Sequence, residues 1–290
     1  MPAHVREGVP LERCGGRSAP SYQANLRFVA VTCLVVWTFA STAHHVSAQA
    51  ASRPAPTPVA TWIGRSAQIE AHLKTAAITR IEDIGTGVTH PRRVHLEPTD
   101  PVESLVWKVL PPGRRRGYWE SYKSEIAAYE LDKLLAMNTV PPVVERTIEG
   151  ETGAAVMWIT GTRSVKDMGG EVPSGPTWDK PIRRMTMFDN LIANIDRNAG
   201  NILVGRPGEL ILIDHSRAFI TDKKLVRKIQ RVDAELWTRM TALTREDLTR
   251  ALRSWIDDDQ IEAMIERRDE MAAAVDKLVA KKGRGLVIIP

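Results

Sequence analysis

The sequence predicts an α+β protein in two parts, a small antiparallel β-sheet with one helix followed by a mainly helical region. The first observation is a set of short alternating apolar patterns separated by turn residues, which is typical of strands. These patterns cover residues 78–84, 92–97 and 104–110. The second observation is the three-to-four-residue apolar periodicity of residues 222–282, which indicates helices. We therefore expect the sheet at residues 61–160 and the helical part at residues 161–290.

The first part contains further predicted elements around the three strands. A short helix is predicted over residues 64–77, before the strands, since its apolar residues fall on one face. A basic loop at residues 111–117 leads into a longer helix over residues 119–137. Residues 143–148 and 154–159 then predict a hairpin, because two apolar runs flank a glycine-containing loop.

The second part begins with a loop-rich segment, residues 169–181, and continues as helices. Thr244 followed by Asp247 is a typical helix start, so Thr244 is the expected N-cap of one of them. The predicted helices cover residues 182–194, 226–243, 245–255 and 259–281.

Residues 1–50 predict a secretory signal peptide or a membrane anchor. A polar, arginine-containing stretch precedes an apolar run at residues 28–40, and alanines follow at positions 48 and 50. The run is shorter than the ~20 apolar residues of a spanning helix. Residues 51–60 are rich in proline and alanine, which predicts a linker. We expect an exported protein in a periplasm, on a cell surface or in a secretory lumen, or one anchored by this segment. A cytoplasmic location is the alternative.

Composition narrows the classes of function. The net charge is +5 and the isoelectric point is about 9.3, a mild basic bias that fits anionic ligands such as nucleotides. No run of basic residues is interleaved with aromatic ones, so a nucleic-acid partner is not expected. Both cysteines, Cys14 and Cys33, lie in the N-terminal segment. Because residues 51–290 contain no cysteine, this part of the chain cannot have a disulfide, a cysteine nucleophile or a cysteine zinc site.

Lys108 lies in the third predicted strand and is a candidate ligand-binding cation. Side chains alternate along a strand, so Lys108 shares a face with Val106 and opposes Trp107. A lysine in an apolar strand needs an anionic partner. Glu125, near the buried boundary of the predicted helix 119–137, is the candidate partner. The alternatives are an exposed face of an edge strand and a surface carboxylate.

Two further segments are candidates for contact with a nucleotide. Gly85 and Gly87 lie between the first two strands, where glycines allow backbone N–H groups to approach a phosphate closely. An ordinary turn explains them equally well. Met157 and Ile159 follow the predicted hairpin, where the chain passes into its second part. They are candidates for contact with the nucleotide base, and core residues are the alternative.

Two polar clusters, at residues 196–201 and 214–216, carry the strongest functional signal. Asn201 precedes an apolar run at residues 202–204, and Asp214 follows another at residues 210–213. A hairpin formed by these two runs would bring both polar ends to one rim. Carboxylate and amide oxygens there are hard ligands of the kind that magnesium prefers.

The string Asp189-x4-Asn194-x-Asp196-Arg197-x3-Asn201, followed by Ile213-Asp214, resembles the catalytic core of the atypical kinases. Those include the phosphatidylinositol 3- and 4-kinases, the bacterial toxin kinase HipA and the secretory-pathway casein kinases. The Asp-Arg order distinguishes them from ordinary protein kinases, which carry His-Arg-Asp. The resemblance spans roughly residues 81–219. Within it Asn198 replaces a histidine of several relatives, and Asp214-His215-Ser216 replaces Asp-Phe-Gly or Asp-Asn-Gly.

The resemblance implies a two-lobed protein-kinase-like fold with residues 61–160 and 161–290 as its lobes. It implies that Asp196 is the base, that Asn201 and Asp214 hold Mg²⁺ or Mn²⁺, and that Lys108 with Glu125 holds the phosphates of ATP. Arg197 would neutralise its loop or bind a substrate phosphate.

Four functions are compatible with these residues. The first is an ATP-dependent phosphotransferase that acts on an unidentified protein or small hydroxyl substrate. The second is a nucleotide-binding regulatory module without turnover. A lipid kinase is the third, for which only the arginines at residues 114–116 and an uncleaved N-terminal segment offer contact with a membrane. In the fourth, Asp196 and Asp214 cap turns in an unrelated α+β domain.

Overall fold

The computed structural model describes residues 60–85, 90–98 and 102–290. The predicted signal segment, residues 51–59 of the predicted linker and Gly87 lie outside the described residues. The α-helices of the described part are α1 (Ser66–Thr75), α2 (Tyr122–Leu134), α3 (Pro176–Leu191), α4 (Ala234–Ala242), α5 (Arg245–Leu252) and α6 (Asp258–Lys282).

The described residues also form four sheets. The largest is antiparallel, with five strands in the order β1-β2-β3-β7-β6, and smaller sheets are formed by β4-β5, β8-β9-β10 and β11-β12. The strands are β1 (Ile78–Asp83), β2 (Arg92–Leu96), β3 (Ser104–Lys108), β4 (Gly113–Arg115), β5 (Tyr118–Glu120), β6 (Val143–Ile148), β7 (Glu151–Met157), β8 (Arg163–Ser164), β9 (Ile202–Val204), β10 (Leu210–Leu212), β11 (Val232–Asp233) and β12 (Ile288–Ile289).

The five-stranded sheet buries both of its faces. Leu73 of α1 packs with Leu105 and Trp107 of β3 on one face. Ile126 of α2 packs on the other face, in a hydrophobic cluster that continues into the helical second part. The two faces follow from the alternation of side chains along the strands. The predicted α+β class, with a small antiparallel sheet followed by a mainly helical part, is confirmed.

Two connections of the first part are tighter than predicted. The loop expected at residues 149–153 is a two-residue turn, Glu149-Gly150, with φ angles of 53° and 83°. The basic loop at residues 111–117 holds β4 and β5, joined at Arg116-Gly117 with φ angles of 49° and 86°. Two consecutive positive φ angles match the right-handed twist of paired strands, and glycine supplies the second at little cost.

Helix α2 begins three residues later than predicted. The extended Ser121 is its N-cap, and the Ser121 hydroxyl accepts a hydrogen bond from the Lys123 N–H. The residues before it, including Glu120, belong to β5. An N-cap serine satisfies one of the donors that a helix start leaves free.

Helix α3 begins at Pro176 and includes Pro181, whereas the sequence predicted a loop as far as residue 181. A proline in the first turn costs no hydrogen bond, because that N–H has no helical partner in any case. Proline in the interior normally breaks a helix. In this structure α3 continues through Pro181 and ends at Leu191.

The predicted helix at residues 226–243 is wrong over its first half. The Arg227 N–H donates to the Asn190 side chain of α3 at 2.8 Å. This N–H is therefore not available for a helical hydrogen bond, and the backbone here forms a loop against α3. Helix α4 begins only at Ala234, where Asp233 is the N-cap and accepts from the Leu236 N–H at 3.0 Å. The predicted N-cap at Thr244 is confirmed, in a reciprocal capping box with Asp247.

No helix within the described ranges is long and apolar enough to cross a membrane. The apolar run at residues 28–40 is not among those ranges.

Asp132 of α2 gives the fold an expected pH dependence. It is buried, and its Oδ1 accepts hydrogen bonds from the Thr139 N–H, the Thr139 hydroxyl and the Val140 N–H. Burial raises the pKa of Asp132 to about 6, although these hydrogen bonds oppose the change. The fold therefore favours the neutral carboxyl, and the stability this contributes is lost as the pH rises from about 4 through 6.

We expect the wild-type free energy of unfolding to carry a component of roughly 3 kcal/mol that disappears over this pH range. Asp132→Asn keeps an acceptor oxygen and removes the titrating group, so this component should be absent from its profile. Urea titrations at pH values from 4 to 7 measure the free energy of unfolding of both the wild type and the variant. Superimposable pH profiles would contradict the assignment to Asp132.

Candidate active site

Lys108, Glu125 and Asp214 meet in the structure although they are far apart in the sequence. Lys108 ends β3, Glu125 lies in the first turn of α2 and Asp214 follows β10. The Lys108 ammonium donates to Glu125 Oε1 at 2.6 Å and to Asp214 Oδ1 at 2.9 Å. The structure thus contains the ion pair suggested by the sequence, and it adds Asp214 as a second partner of Lys108.

This group is buried yet charged. Burial by itself would lower the pKa of Lys108, but Asp214 and Glu125 outweigh it and raise that pKa above its ordinary value. Burial would likewise raise the pKa of Glu125, but Lys108 and the His215 side chain hold it well below its usual range. Buried charges persist in proteins when each has a partner of opposite sign. Lys108 is therefore a fixed cation at neutral pH.

Strand β7 approaches Lys108 at a glycine. Gly153 precedes Ala154, which pairs with Lys108 across the sheet. A Cβ atom on Gly153 would collide with the Lys108 carbonyl oxygen, so no larger residue fits without a shift of the backbone. Glycine is used where two backbones approach this closely. This requirement is not apparent from the sequence, which predicts a loop at residue 153.

His215, which follows Asp214, is a buried part of the same site. Its backbone N–H donates to Glu125 Oε2 at 2.9 Å, and its ring Nε2 lies 2.9 Å from Arg197 Nη2. A guanidinium can only donate, so Nε2 is the acceptor and the ring proton is on Nδ1, which faces Glu125 at 3.6 Å. Burial lowers the pKa of His215, in keeping with a neutral ring.

Arg197 joins the two polar clusters from within the core. Its side chain is 1% exposed and pairs with Asp189 of α3, which is completely buried. Its Nη1 donates to the carbonyl oxygens of Asn201 at 2.8 Å and Ile213 at 2.7 Å. This placement corrects one of the two roles suggested for Arg197 by the sequence. A side chain so enclosed does not reach a substrate phosphate, and it neutralises and braces the loops instead.

Asp196 is held by its backbone, while its carboxylate is 38% exposed. The Asp196 carbonyl oxygen accepts from Asn201 Nδ2 at 2.9 Å, and the Asp196 N–H donates to Asn194 Oδ1 at 3.2 Å. Its Oδ2 accepts from Arg217 Nη1 at 3.1 Å. The sequence alone does not indicate a role for Arg217, since a single arginine three residues after Asp214 has no distinguishing pattern.

Asn201 and Asp214 are the candidate metal ligands. The hydrogen bonds of Asp214 use Oδ1, and those of the Asn201 side chain use Nδ2, so each has a further oxygen for a cation. No cluster of three or more His, Cys, Asp or Glu side chains in the described ranges could hold a metal ion by itself. Mg²⁺ is commonly bound by one or two carboxylates together with substrate phosphates. The donor set fits a divalent cation that arrives with a nucleotide.

The structure does not place every other candidate for nucleotide contact beside Lys108. Met157 pairs with Leu105, which lies three residues before Lys108 on β3, so the Met157 side chain packs on the opposite face of the sheet. Ile159 packs against the same cluster. The structure therefore does not bring the Met157 side chain to Lys108. Val106 and Val156, which pair with each other on the Lys108 face, occupy that side instead.

Gly85 has a positive φ of 69°, a conformation that suits glycine, and it ends the described part of the loop after β1. Its partner in the predicted pair, Gly87, is outside the described residues. The role of this loop in phosphate contact stays a prediction.

No protein-family model and no curated protein sequence matches this chain. Solved structures do share its fold. A structure of hydra Fam20 with sugar has a TM-score of 0.61 at 17% identity, covering 77% of this chain and 91% of that chain. The Golgi casein kinase with Mn/ADP bound has a TM-score of 0.59 at 15% identity, covering 77% and 78%. This likeness shows that the chain has a kinase-like fold.

Proposed function

We propose that this protein is an ATP- and Mg²⁺-dependent phosphotransferase that acts on a hydroxyl group of a protein or small molecule. The observation that carries the proposal is Lys108 paired with both Glu125 and Asp214 at 2.6 and 2.9 Å. A fixed cation beside a partly exposed carboxylate suits a ligand that brings both phosphate groups and a metal ion. The Mn/ADP bound to the Golgi casein kinase supports the same ligand class for this fold.

Each residue has a distinct role in this proposal. Lys108 binds phosphate oxygens that are not transferred, and Glu125 holds Lys108 in place. Asp214 and Asn201 hold the metal through the oxygens that their hydrogen bonds leave free. Bound Mg²⁺ would neutralise charge on the phosphates. Asp196 orients the acceptor hydroxyl and takes its proton as the acceptor oxygen bonds to the γ-phosphorus and the bond to ADP breaks.

We also propose that residues 61–160 and 161–290 act as the two lobes of the enzyme, with the nucleotide between them. Residues 1–50 would direct export or anchor the chain. The Golgi location in the name of one structural neighbour supports a secretory compartment. Sequencing the N-terminus of the protein recovered from its native compartment tests this, and a start near residue 49 or 51 is the result expected for cleavage.

A nucleotide-binding module without turnover is the second candidate. The pairing of Arg217 with Asp196 favours it, because one oxygen of the proposed base is already occupied. The two candidates share the nucleotide site and differ only in whether phosphate is transferred.

Thermal unfolding with and without Mg²⁺–ATP tests the shared site. At 100 times the dissociation constant, a ligand that binds only the folded state adds about 2.7 kcal/mol. We expect the unfolding temperature of the wild type to rise with ATP and Mg²⁺ together. The shift should be smaller with ATP and a chelator, and Asp214→Asn should lose the difference between the two.

Asp276→Asn is the matched control, since it makes the same chemical change at an exposed position of α6. It should respond to Mg²⁺–ATP like the wild type. No shift of the wild-type protein would remove both candidates. A shift with no transfer of radiolabelled phosphate to water, to the chain itself or to added proteins would favour the module.

A further inference from the structure

Arg217 is the centre of a second charged network, which the roles assigned above do not use. Its Nε and Nη2 donate to Glu120 Oε1 at 2.9 and 2.8 Å, and its Nη1 donates to Asp196 Oδ2 at 3.1 Å. Its guanidinium lies 4.5 Å from the ring centre of Tyr118. Three donors and one face of the guanidinium are thus engaged, which fixes its orientation more tightly than a single ion pair would.

The burial of the partners shows which end of the network is fixed. The side chains of Glu120 and Arg217 are 6% and 17% exposed, whereas that of Asp196 is 38% exposed. The Asp196 side chain has no other hydrogen-bond partner among the described residues. Its carboxylate therefore owes its orientation to Arg217, and Arg217 owes its own to Glu120.

Glu120 belongs to the same short segment as Glu125. This segment also contacts the loop after β10 directly, through the Ser121 N–H and the Ser216 carbonyl oxygen at 2.9 Å. Two chains of ion pairs begin at this segment. Glu125 holds Lys108, which contacts Asp214, and Glu120 holds Arg217, which contacts Asp196. The start of α2 thus sets the position of both proposed active-site carboxylates.

We infer that Arg217 is a positioning residue for the phosphoryl-transfer reaction. It fixes Oδ2 of Asp196, so that Oδ1 faces the acceptor hydroxyl, and it makes this geometry depend on Glu120 in the first lobe. The inference rests on the proposed phosphotransferase function. Because Arg217 acts on the acceptor side, its loss affects the transfer step and leaves the nucleotide site of Lys108 and Asp214 in place.

The variants Arg217→Met, Arg217→Lys and Glu120→Gln test this inference. Radiolabelled Mg²⁺–ATP serves as the probe, with transfer to water and to the chain itself as the rates, and nucleotide affinity is measured separately by titration. Misplacement of a reacting group by about 1 Å can cost about 100-fold in rate. We expect Arg217→Met to lower the rate about 100-fold at saturating nucleotide, with less than a twofold change in affinity.

Arg217→Lys should recover part of the rate, since it keeps the charge but not the fork of donors. Glu120→Gln should fall between the wild type and Arg217→Met, because it loosens Arg217 without removing it. Arg253→Met, the same change at an exposed position, is the control and should match the wild type. If Arg217→Met fails to fold, the lysine and glutamine variants carry the test.

The outcomes separate this inference from the function on which it rests. A wild-type chain that transfers no phosphate would overturn both. Unchanged or faster transfer in Arg217→Met, with an active wild type, would overturn the positioning role alone. Equal losses of rate and nucleotide affinity would do the same, because they would indicate a general structural role.

Discussion

Replacement of Asp196 by alanine is expected to leave Mg²⁺–ATP binding intact and to reduce phosphate transfer by roughly 10²–10⁴-fold, the usual contribution of a positioned acid or base. The reason lies in how Asp196 is held. Its backbone atoms make the hydrogen bonds that shape the turn, with Asn201 and Asn194. Its carboxylate contacts Arg217 and is otherwise open.

The same contacts predict that the variant folds. Arg217 keeps Glu120 as a partner when Asp196 is shortened, so no unpaired cation is left behind. The Lys108 group is untouched, which preserves the proposed nucleotide site. Transfer of radiolabelled phosphate and the Mg²⁺–ATP thermal shift should therefore respond differently. Asp276→Ala, which removes an exposed carboxylate from α6, is the control. Turnover of Asp196→Ala equal to that of the wild type would show that Asp196 is not the base.

The parts of the site that can be predicted from sequence are those that depend on residues close together in the chain or on a buried charge that needs a partner. Asn201 and Asp214 flank two short apolar runs, and a hairpin of those runs brings its two ends together whatever surrounds it. The pairing of Lys108 with Glu125 is predictable from charge, since each is an ionised group in an apolar element and needs a partner. Their contact in the structure follows the same physics.

The parts that could not be predicted depend on contacts between distant segments. Arg217 and Glu120 are 97 residues apart in the sequence and neither has an unusual local pattern. Residues 226–233 have helical periodicity, but the Asn190 side chain accepts from the Arg227 N–H from 37 residues away and removes it from any helix. Only its position in the chain makes Met157 a candidate from sequence. Which face of the sheet it occupies depends on the pairing register with β3.

The largest loss of stability is expected from Asp189→Asn. Asp189 is completely buried and receives Arg197 Nε at 3.2 Å, Arg197 Nη2 at 3.1 Å and Arg227 Nε at 3.3 Å. An amide keeps the shape of the side chain and removes its charge. Arg197, with 1% of its side chain exposed, would then be a buried cation without a carboxylate. Loss of one partner of a buried ion pair typically costs about 3–5 kcal/mol.

This loss is a large share of the roughly 5–15 kcal/mol that separates most folded domains from their unfolded states. We expect the urea midpoint to fall with little change in the slope of the transition, which would indicate a loss of stability at constant compactness. Asp269→Asn, an exposed partner of Arg268, makes the same chemical change and should shift the midpoint little. Equal midpoints for the two variants would contradict the role given to Asp189.

The double variant Asp189→Asn with Arg197→Met separates the ion pair from packing. If the cost of the single variant is the unpaired cation, removal of that cation should restore part of the lost stability. The hydrogen bonds from Arg197 to the Asn201 and Ile213 carbonyl oxygens would also be lost, so the recovery is expected to be incomplete. These carbonyl groups adjoin both candidate metal ligands. Mg²⁺–ATP binding should therefore be weaker in the double variant than in the wild type even where stability returns, because the arginine that braces the two loops is absent.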